Sequence, residues 1–284
     1  MIYLDNFIFP NEDQEFNFFM SIQRKCYDSF YPYQVLTKKG LTRIDCDPIT
    51  ILYGGNGSGK TTALNVIAEK LGLERESNFN KSSFFQQYVD SCEYEIRSEV
   101  QHGSRIITSD DVFDYMLNLR ALNDGIDLKR EELFDEYLEA KYSDFKYRSL
   151  EDYDELKKVN LSRRKTQSKY VRKNLMSNVR EISNGESAFM YFTDKIKENG
   201  LYILDEPENS LSAARQIELV QFLEESARFF QCQFIISTHS PFILSMKGAK
   251  IYDLDNTPVR TKSWTELENV RIYYEFFKKH ENEF

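Results

Sequence analysis

The chain has 284 residues, of which 46 are acidic and 37 are Lys or Arg, so its formal net charge at pH 7 is −9. This length allows a full buried core, and the acidic balance excludes a surface that binds nucleic acid everywhere, because neutralising phosphates needs clustered Lys and Arg. The four cysteines are scattered, which predicts isolated thiols in a reducing compartment. No apolar run approaches the roughly 20 residues of a membrane span, and the start lacks a signal-peptide pattern, so we expect a cytoplasmic protein without membrane segments.

The first 53 residues predict a strand-rich region. Short apolar or alternating stretches occupy residues 2–9 and 41–52, and Pro10, Gly40 and Pro48 interrupt the chain around them. We therefore expect an antiparallel edge sheet before the motif that follows.

Residues 54–61, here called the phosphate loop, read Gly-Gly-Asn-Gly-Ser-Gly-Lys-Thr. They match G-x-x-x-x-G-K-[ST] between an apolar strand and a run of helical periodicity, the context in which this motif binds phosphate. Glycines let the backbone turn its N–H groups inward, and the helix N-terminus adds partial positive charge. Lys60 is expected to reach the β- and γ-phosphates, and the Thr61 hydroxyl to ligate Mg²⁺. The predicted nucleotide-binding residues here are Gly54, Gly55, Asn56, Gly57, Ser58, Gly59, Lys60, Thr61 and Thr62.

A helical lobe is predicted after one more short strand at residues 104–108. From residue 110 to about 180 the pattern is helical and charge-dense, without a sustained heptad register. We expect residues 1–110 and 181–284 to form the core and residues 111–180 to form an inserted compact lobe.

Residues 160–180, here called the basic segment, contain no acid. One interpretation is a surface for DNA phosphates or for a partner, through residues 163–180. The other is a solvated helix face that balances nearby acids, and the sequence leaves both open. The basic residues are Arg163, Arg164, Lys165, Lys169, Arg172, Lys173 and Arg180.

Two strand-and-helix units follow the lobe. Residues 201–207 form an apolar run that ends in Asp205 and Glu206. In a parallel sheet this strand end lies beside the phosphate loop, so Asp205 is expected to hold the hydration shell of Mg²⁺ and Glu206 to act as general base on the attacking water. The second strand ends in His239, which is expected to hydrogen-bond the γ-phosphate or that water.

The stretch Ile-Ser-Asn-Gly-Glu-Ser at residues 182–187 opens a further predicted helix. Ser183 and Glu186 fit a capping box, which needs no ligand. The same geometry also provides an anion site from the Ser183 hydroxyl and the Gly185 N–H. In the tail, Ser263 and Glu266 predict a cap for a last helix whose apolar stripe comprises Leu267, Val270, Tyr274 and Phe277.

The order of these four motifs resembles the ATP-binding-cassette ATPases, specifically the SMC/RecF-type branch. Closer still, residues 204–212 and 236–244 are similar to small stand-alone bacterial ATPases of the AAA-family or ABC-type group. The resemblance implies an α/β P-loop NTPase fold of the ABC-ATPase type, with a mixed sheet, antiparallel edge strands and an inserted helical lobe. It further implies ATP hydrolysis with Mg²⁺, which for some relatives serves DNA repair or anti-phage defence.

By that resemblance, Ser183 and Gly185 would touch the γ-phosphate held by a second chain, and ATP would join two copies head to tail. Two positions depart from the family pattern. The glutamine of the Mg²⁺ site has no clear match, since Gln86 and Gln87 come early and residues 109–111 hold no glutamine. In the family, the loop after the acidic end of the strand usually finishes with an Asp. In this chain Ser212 occupies that position.

The leading hypothesis is thus an ATP-driven dimerising switch or motor that acts on DNA or on an effector protein such as a nuclease or toxin. An alternative is the nucleotide-binding subunit of an ABC transporter. Against it, Glu186 stands where transporters generally carry Gln, and Ser-Pro follows His239 where they carry an acid. A third hypothesis, ATP binding without turnover, is disfavoured because such a site would not need Glu206.

Overall fold

The computed structural model describes residues 1–22, 26–27, 29–143, 153–175 and 184–284. The strands are β1 (Leu4–Ile8), β2 (Arg43–Asp45), β3 (Ile49–Tyr53), β4 (Glu93–Ile96), β5 (Arg105–Thr108), β6 (Leu201–Asp205), β7 (Gln233–Thr238), β8 (Lys250–Asp253) and β9 (Arg260–Thr261). The α-helices are α1 (Glu12–Ser21), α2 (Lys60–Leu71), α3 (Phe85–Asp90), α4 (Ser109–Tyr142), α5 (Tyr153–Arg164), α6 (Gln167–Asn174), α7 (Asn184–Lys195), α8 (Ala213–Phe229), α9 (Pro241–Leu244) and α10 (Glu268–Lys279).

The larger sheet has the strand order β5-β6-β7-β3-β8-β9, and its first five strands are parallel. Every residue of β3, β6 and β7 is buried, as expected for strands covered on both faces. Strand β7, which leads to His239, lies between β3 and β6. Strand β3 leads into the phosphate loop, and β6 ends in Asp205. All three carboxyl ends therefore meet at one edge.

The smaller sheet is antiparallel, with the order β2-β1-β4. It packs its apolar residues with α2 and α3 into one cluster whose members include Leu4, Phe7, Leu64, Ile67 and Phe85. This cluster surrounds the helix that follows the phosphate loop, and it fixes the start of α2 against the rest of the molecule.

The chain folds into two compact units, Met1–Phe113 with Asn184–Phe284, and Asp114–Ser183. In the second unit, α5 and α6 are held to the later part of α4 by a small cluster of Leu133, Tyr137, Tyr170 and Val171. Its polar ties include a hydrogen bond from the Tyr170 hydroxyl to Glu136 at 3.0 Å and an ion pair of Glu136 with Lys158 at 2.9 Å.

The predicted α/β class with a mixed sheet is confirmed, although the antiparallel strands are arranged differently from the expectation. Strands β1, β2 and β4 form a separate sheet, whereas β3 lies inside the larger sheet, where β9 is antiparallel at the edge. The sequence did not predict α1 and β4. In the described part of the chain, no helix is both long enough and apolar enough to span a bilayer.

The tail also departs from the sequence-based expectation. The capping box of Ser263 and Glu266 closes a short 3-10 turn, and α10 begins only afterwards. Leu267 and Val270 are buried as expected, but Tyr274 and Phe277 are exposed. The second half of the predicted stripe is therefore not buried in the core, although the Phe277 ring lies beside that of Phe284.

Candidate functional site

The phosphate loop is a tight turn that needs glycine at two positions. Gly59 has φ +100°, and a Cβ there would meet Val35 and Leu36 at 3.2 and 3.0 Å. A Cβ on Gly54 would lie 2.6 Å from the Ser58 hydroxyl oxygen, so any side chain would push the loop apart. The loop leads directly into α2, whose first N–H groups are left without intrahelical partners.

Lys60 is buried at the start of α2, with 4% of its surface exposed. Its Nζ donates to Gly54 O at 2.7 Å and Gly55 O at 3.2 Å, and it lies 3.0 Å from His239 Nε2 and 3.8 Å from Glu206 Oε1. Burial lowers the pKa of Lys60, and the neighbouring carboxylates Glu206 and Asp205 oppose that shift. The cation is thus held inside the loop beside both residues predicted for hydrolysis.

Asp205 ends β6 next to the first turn of α2. Its Oδ1 accepts hydrogen bonds from the Thr61 hydroxyl at 3.2 Å and from the Ser237 hydroxyl. Burial raises the pKa of Asp205 above the usual value of an aspartate, and the two hydroxyl donors counteract this. The two residues predicted to bind Mg²⁺ are therefore in direct contact.

Glu206 and His239 face each other across the ends of β6 and β7. Glu206 Oε1 lies 3.1 Å from His239 Nε2, and the Glu206 N–H donates to both oxygens of Ser237. Glu206 has φ +49°, a left-handed conformation that a residue with a Cβ rarely adopts. Such strain persists only where the surroundings impose it, which is typical of functional sites.

A polar pocket of about 360 Å³ lies over the loop and is lined by Val35, residues 56–62 and Glu206. The Ser58 hydroxyl oxygen is buried in this loop without a hydrogen-bond partner among the described residues. A glycine cradle, a buried cation and a helix N-terminus suit the phosphates of a nucleotide. Thr61 and Asp205 offer the oxygen ligands that Mg²⁺ prefers, so the residues present fit both groups.

Two tyrosines that precede the phosphate loop, Tyr31 and Tyr33, have different surroundings. Tyr33 stacks on Phe18 in the core, with ring centroids 3.7 Å apart. The Tyr31 hydroxyl donates to the Thr62 hydroxyl at 3.2 Å, so Tyr31 contacts the first turn of α2.

The start of α7 lies away from the pocket lining. A Cβ on Gly185 would meet Ser210 O at 3.3 Å, so Gly185 packs on the loop before α8. Ser183, and with it the predicted capping box, lies outside the described residues. No residue of α7 lines the pocket over the phosphate loop within the described chain.

Residues 109–111, one of the stretches considered for the missing glutamine, directly follow β5. Ser109 and Asp110 line a cavity of about 790 Å³ together with Thr61 and Asp205. Asp111 instead accepts hydrogen bonds from Thr108 N–H at 2.6 Å and Ser77 N–H at 2.7 Å. Gln86 and Gln87 lie in α3 and do not line this cavity.

One contact of the phosphate loop had no signal in the sequence. Both carboxylate oxygens of Asp255, which follows β8, accept from the Gly55 N–H at 2.8 and 2.9 Å. The two residues are 200 positions apart in the chain, and only the parallel pairing of β3 with β8 brings them together.

The basic segment is helical where it is described. Arg163, Arg164, Lys169 and Arg172 are exposed on α5 and α6. Arg163 donates to Ser143 O at 2.9 Å. The side chain of Lys173 and all of Arg180 lie outside the described residues.

A family model described as an AAA ATPase domain matches residues 173–244 of this chain. The matched stretch contains Asp205, Glu206 and His239, which the structure places around Lys60. This match indicates that the chain is an ATPase. Among curated proteins, no sequence matches it.

Solved structures with similarity to this ATPase have low sequence identity. The Smc head domain with an extended coiled coil from Pyrococcus furiosus, bound to the C-terminal domain of ScpA, is 13% identical, with a TM-score of 0.43 over 97% of this chain and 100% of that one. An SmcHead bound to the C-winged helix domain of ScpA is 18% identical, with a TM-score of 0.40 over 78% and 93%. A dimeric ATP-binding cassette in a post-hydrolysis state, bound to ADP and Pi, is 12% identical, with a TM-score of 0.36 over 79% and 90%.

Proposed function

We propose that this ATPase binds ATP with Mg²⁺ at the phosphate loop and that ATP joins two copies head to tail, forming a switch or motor for a partner. One observation carries the proposal: side chains from two distant stretches of sequence converge on Lys60. Asp205 and Glu206 come from the end of β6, and His239 comes from the loop after β7. A buried cation surrounded by two acids and a histidine is an arrangement for phosphate chemistry.

Each of these groups has a distinct role in the proposal. Lys60 Nζ exchanges its contacts with the loop carbonyls for the β- and γ-phosphate oxygens of ATP. Thr61 and Asp205 hold Mg²⁺, which when bound neutralises charge on those phosphates. Glu206 Oε1 accepts a proton from the attacking water. His239, 3.1 Å from that oxygen, orients the water or the γ-phosphate.

The head-to-tail arrangement accounts for the position of α7. The pocket lining holds the phosphate loop and Glu206 but no described residue of α7, while Gly185 packs against Ser210 of its own chain. In the proposal, Ser183 and Gly185 of one copy therefore complete the site of the other copy, with the dipole of α7 directed at the γ-phosphate.

The exposed charges of the chain suggest which partner the proposed switch acts on. We propose that a lobe of residues 111–180, inserted in a core of residues 1–110 and 181–284, binds DNA phosphates or an effector protein such as a nuclease or toxin. It would do so through residues 163–180, where Arg163, Arg164, Lys169 and Arg172 are exposed. We also propose a cytoplasmic location and, by the resemblance to small stand-alone bacterial ATPases, a role in DNA repair or anti-phage defence.

Mixing two defective variants tests the shared site. Ser183→Arg places a bulky side chain at the mouth of the partner's pocket, so we expect ATP binding to survive while dimerisation and turnover collapse. Lys60→Ala weakens ATP binding at its own loop and removes the cation from that site. In a mixed dimer one composite site retains both an intact loop and an intact Ser183, so partial ATPase activity should return on mixing.

The control is Ser168→Arg, which adds the same bulk and charge at an exposed position of α6. It should hydrolyse ATP normally. If Ser183 only caps α7, its replacement costs about 1 kcal/mol of stability and leaves turnover intact. A folded Ser183→Arg variant with normal ATPase activity would thus remove the proposed head-to-tail site.

A further inference from the structure

The carboxylate of Glu208, in the loop after β6, binds the main chain of the loop that carries His239. Glu208 Oε1 accepts hydrogen bonds from the His239 N–H at 2.6 Å, the Thr238 hydroxyl at 2.8 Å and the Ser240 N–H at 3.2 Å. Three consecutive residues therefore share one carboxylate oxygen. This contact joins the loop that follows Glu206 to the loop that follows β7.

The opposite side of the same residue is held by the C-terminal helix. Asn269, in the first turn of α10, donates from Nδ2 to His239 O at 3.0 Å. Its own N–H donates to the Tyr53 hydroxyl at 3.1 Å, at the end of β3. The main-chain N–H and C=O of His239 are thus both fixed by side chains, while its ring remains beside Lys60 and Glu206.

Glu208 occupies an environment that is costly for a carboxylate. Burial raises the pKa of Glu208, and its Oε2 is buried with no hydrogen-bond partner in the described chain. Because a buried carboxylate oxygen without a hydrogen-bond partner lowers stability, the hydrogen bonds that Oε1 accepts from residues 238–240 point to a role beyond folding.

We propose that Glu208 and Asn269 are positioning residues that hold the His239 ring in line with Glu206 and the γ-phosphate of ATP. The proposal rests on the function proposed for His239. Neither residue lines the pocket over the phosphate loop, so both act through His239 and leave ATP binding unchanged. A displacement of about 1 Å at a reacting group can cost roughly 10²-fold in rate, which sets the size of the expected effect.

A double-mutant cycle tests this inference. Glu208→Ala and Asn269→Asp should each lower kcat by about 10- to 100-fold with little change in KM for ATP. Glu208→Gln should retain most turnover, because its amide oxygen can accept the same hydrogen bonds. In a His239→Ala background, neither Glu208→Ala nor Asn269→Asp should lower kcat further, since their target is already absent.

Asn269→Asp keeps the test valid if Glu208→Ala does not fold. It preserves shape, replaces the amide donor by a charged acceptor, and places this acid in the first turn of a helix, where the dipole favours it. Asn282→Asp, an exposed residue near the C-terminus, makes the same charge change away from His239 and should leave kcat unchanged.

The two proposals fail in different ways. Normal turnover in His239→Ala would contradict the role of His239 and so the proposed function itself. If His239→Ala is defective but Glu208→Ala and Asn269→Asp lower kcat as much in that background as in the wild type, only the positioning inference is overturned. Unchanged kcat in both single variants overturns it as well.

Discussion

Lys60 and Arg164 carry the same charge in opposite surroundings. Lys60 is buried and lies within 4 Å of two loop carbonyls, a histidine and a carboxylate. Arg164 and its neighbours in the basic segment are exposed at the end of α5 and in α6. The phosphate loop thus concentrates charge in a desolvated, interconnected group, whereas the basic segment spreads charge over a solvated surface.

This difference predicts how each region responds to change. Electrostatic interactions are strong and poorly screened where water is excluded, so altering one group of the site should change binding or rate by orders of magnitude. Exposed charges are screened by salt and act collectively. Substitutions in the basic segment should therefore have small, additive effects on the affinity for a charged partner, and these effects should depend on ionic strength.

The largest effect is expected from Glu206→Gln, which keeps the side-chain shape while removing the base. Hydrolysis should fall by about 10²- to 10⁴-fold with ATP binding intact. Because ATP is then not consumed, ATP with Mg²⁺ should trap a dimer, which size-exclusion chromatography with light scattering would detect.

The matched control is Glu139→Gln, an exposed glutamate on α4 that lies outside the site. It should hydrolyse ATP at the normal rate and form no trapped dimer. A Glu206→Gln variant that remains monomeric with bound ATP and Mg²⁺ would contradict the proposed head-to-tail dimer. It would not contradict the role of Glu206 as the general base.

A smaller effect is expected from Lys60→Ala. A charge-assisted contact at a buried site contributes about 1.5–3 kcal/mol, so ATP affinity should fall by roughly 10- to 100-fold, as calorimetry or a fluorescent ATP analogue would measure. Lys70→Ala, near the end of the same helix but partly exposed, is the control and should bind ATP normally. Equal affinities in the two variants would refute the role of the phosphate loop.

The same contrast explains which features the sequence could predict. The phosphate loop and the acidic end of β6 depend on residues that are adjacent in the chain, and the structure places Lys60, Asp205 and Glu206 together as expected. Parallel pairing of buried strands then determines where their carboxyl ends meet. Local motifs and strand type were therefore sufficient to locate this part of the candidate site.

Contacts between distant parts of the chain were not predictable. Gly55 and Asp255, or His239 and Asn269, have no shared pattern, because their meeting depends on the packing of whole elements. The helix α1 was missed although Asn11 and Gln14 form a capping box at its start, since Phe18 is its only buried apolar side chain and its periodicity is weak. The end of α10 shows the converse, because Tyr274 and Phe277 continue the periodic apolar pattern but remain exposed.

The smallest effect is expected in the basic segment, from reversing four exposed charges together. The substitutions are Arg163→Glu, Arg164→Glu, Lys169→Glu and Arg172→Glu. If these cations contact DNA phosphates, each contact contributes about 0.9 to the slope of log affinity against log salt concentration. The variant should then lose affinity and up to about three to four units of slope, measured by fluorescence anisotropy over a salt series, with basal ATPase activity near normal.

The control reverses four exposed lysines elsewhere, at Lys38, Lys247, Lys278 and Lys279. It produces the same change in net charge, so a general loss of attraction would appear equally in both variants. A loss of slope confined to the basic segment locates the phosphate contacts there. Identical slopes in the two variants, or a wild type that binds no DNA, would instead favour a solvated helix face that balances the acidic surroundings of the lobe, and the switch would then need a protein partner.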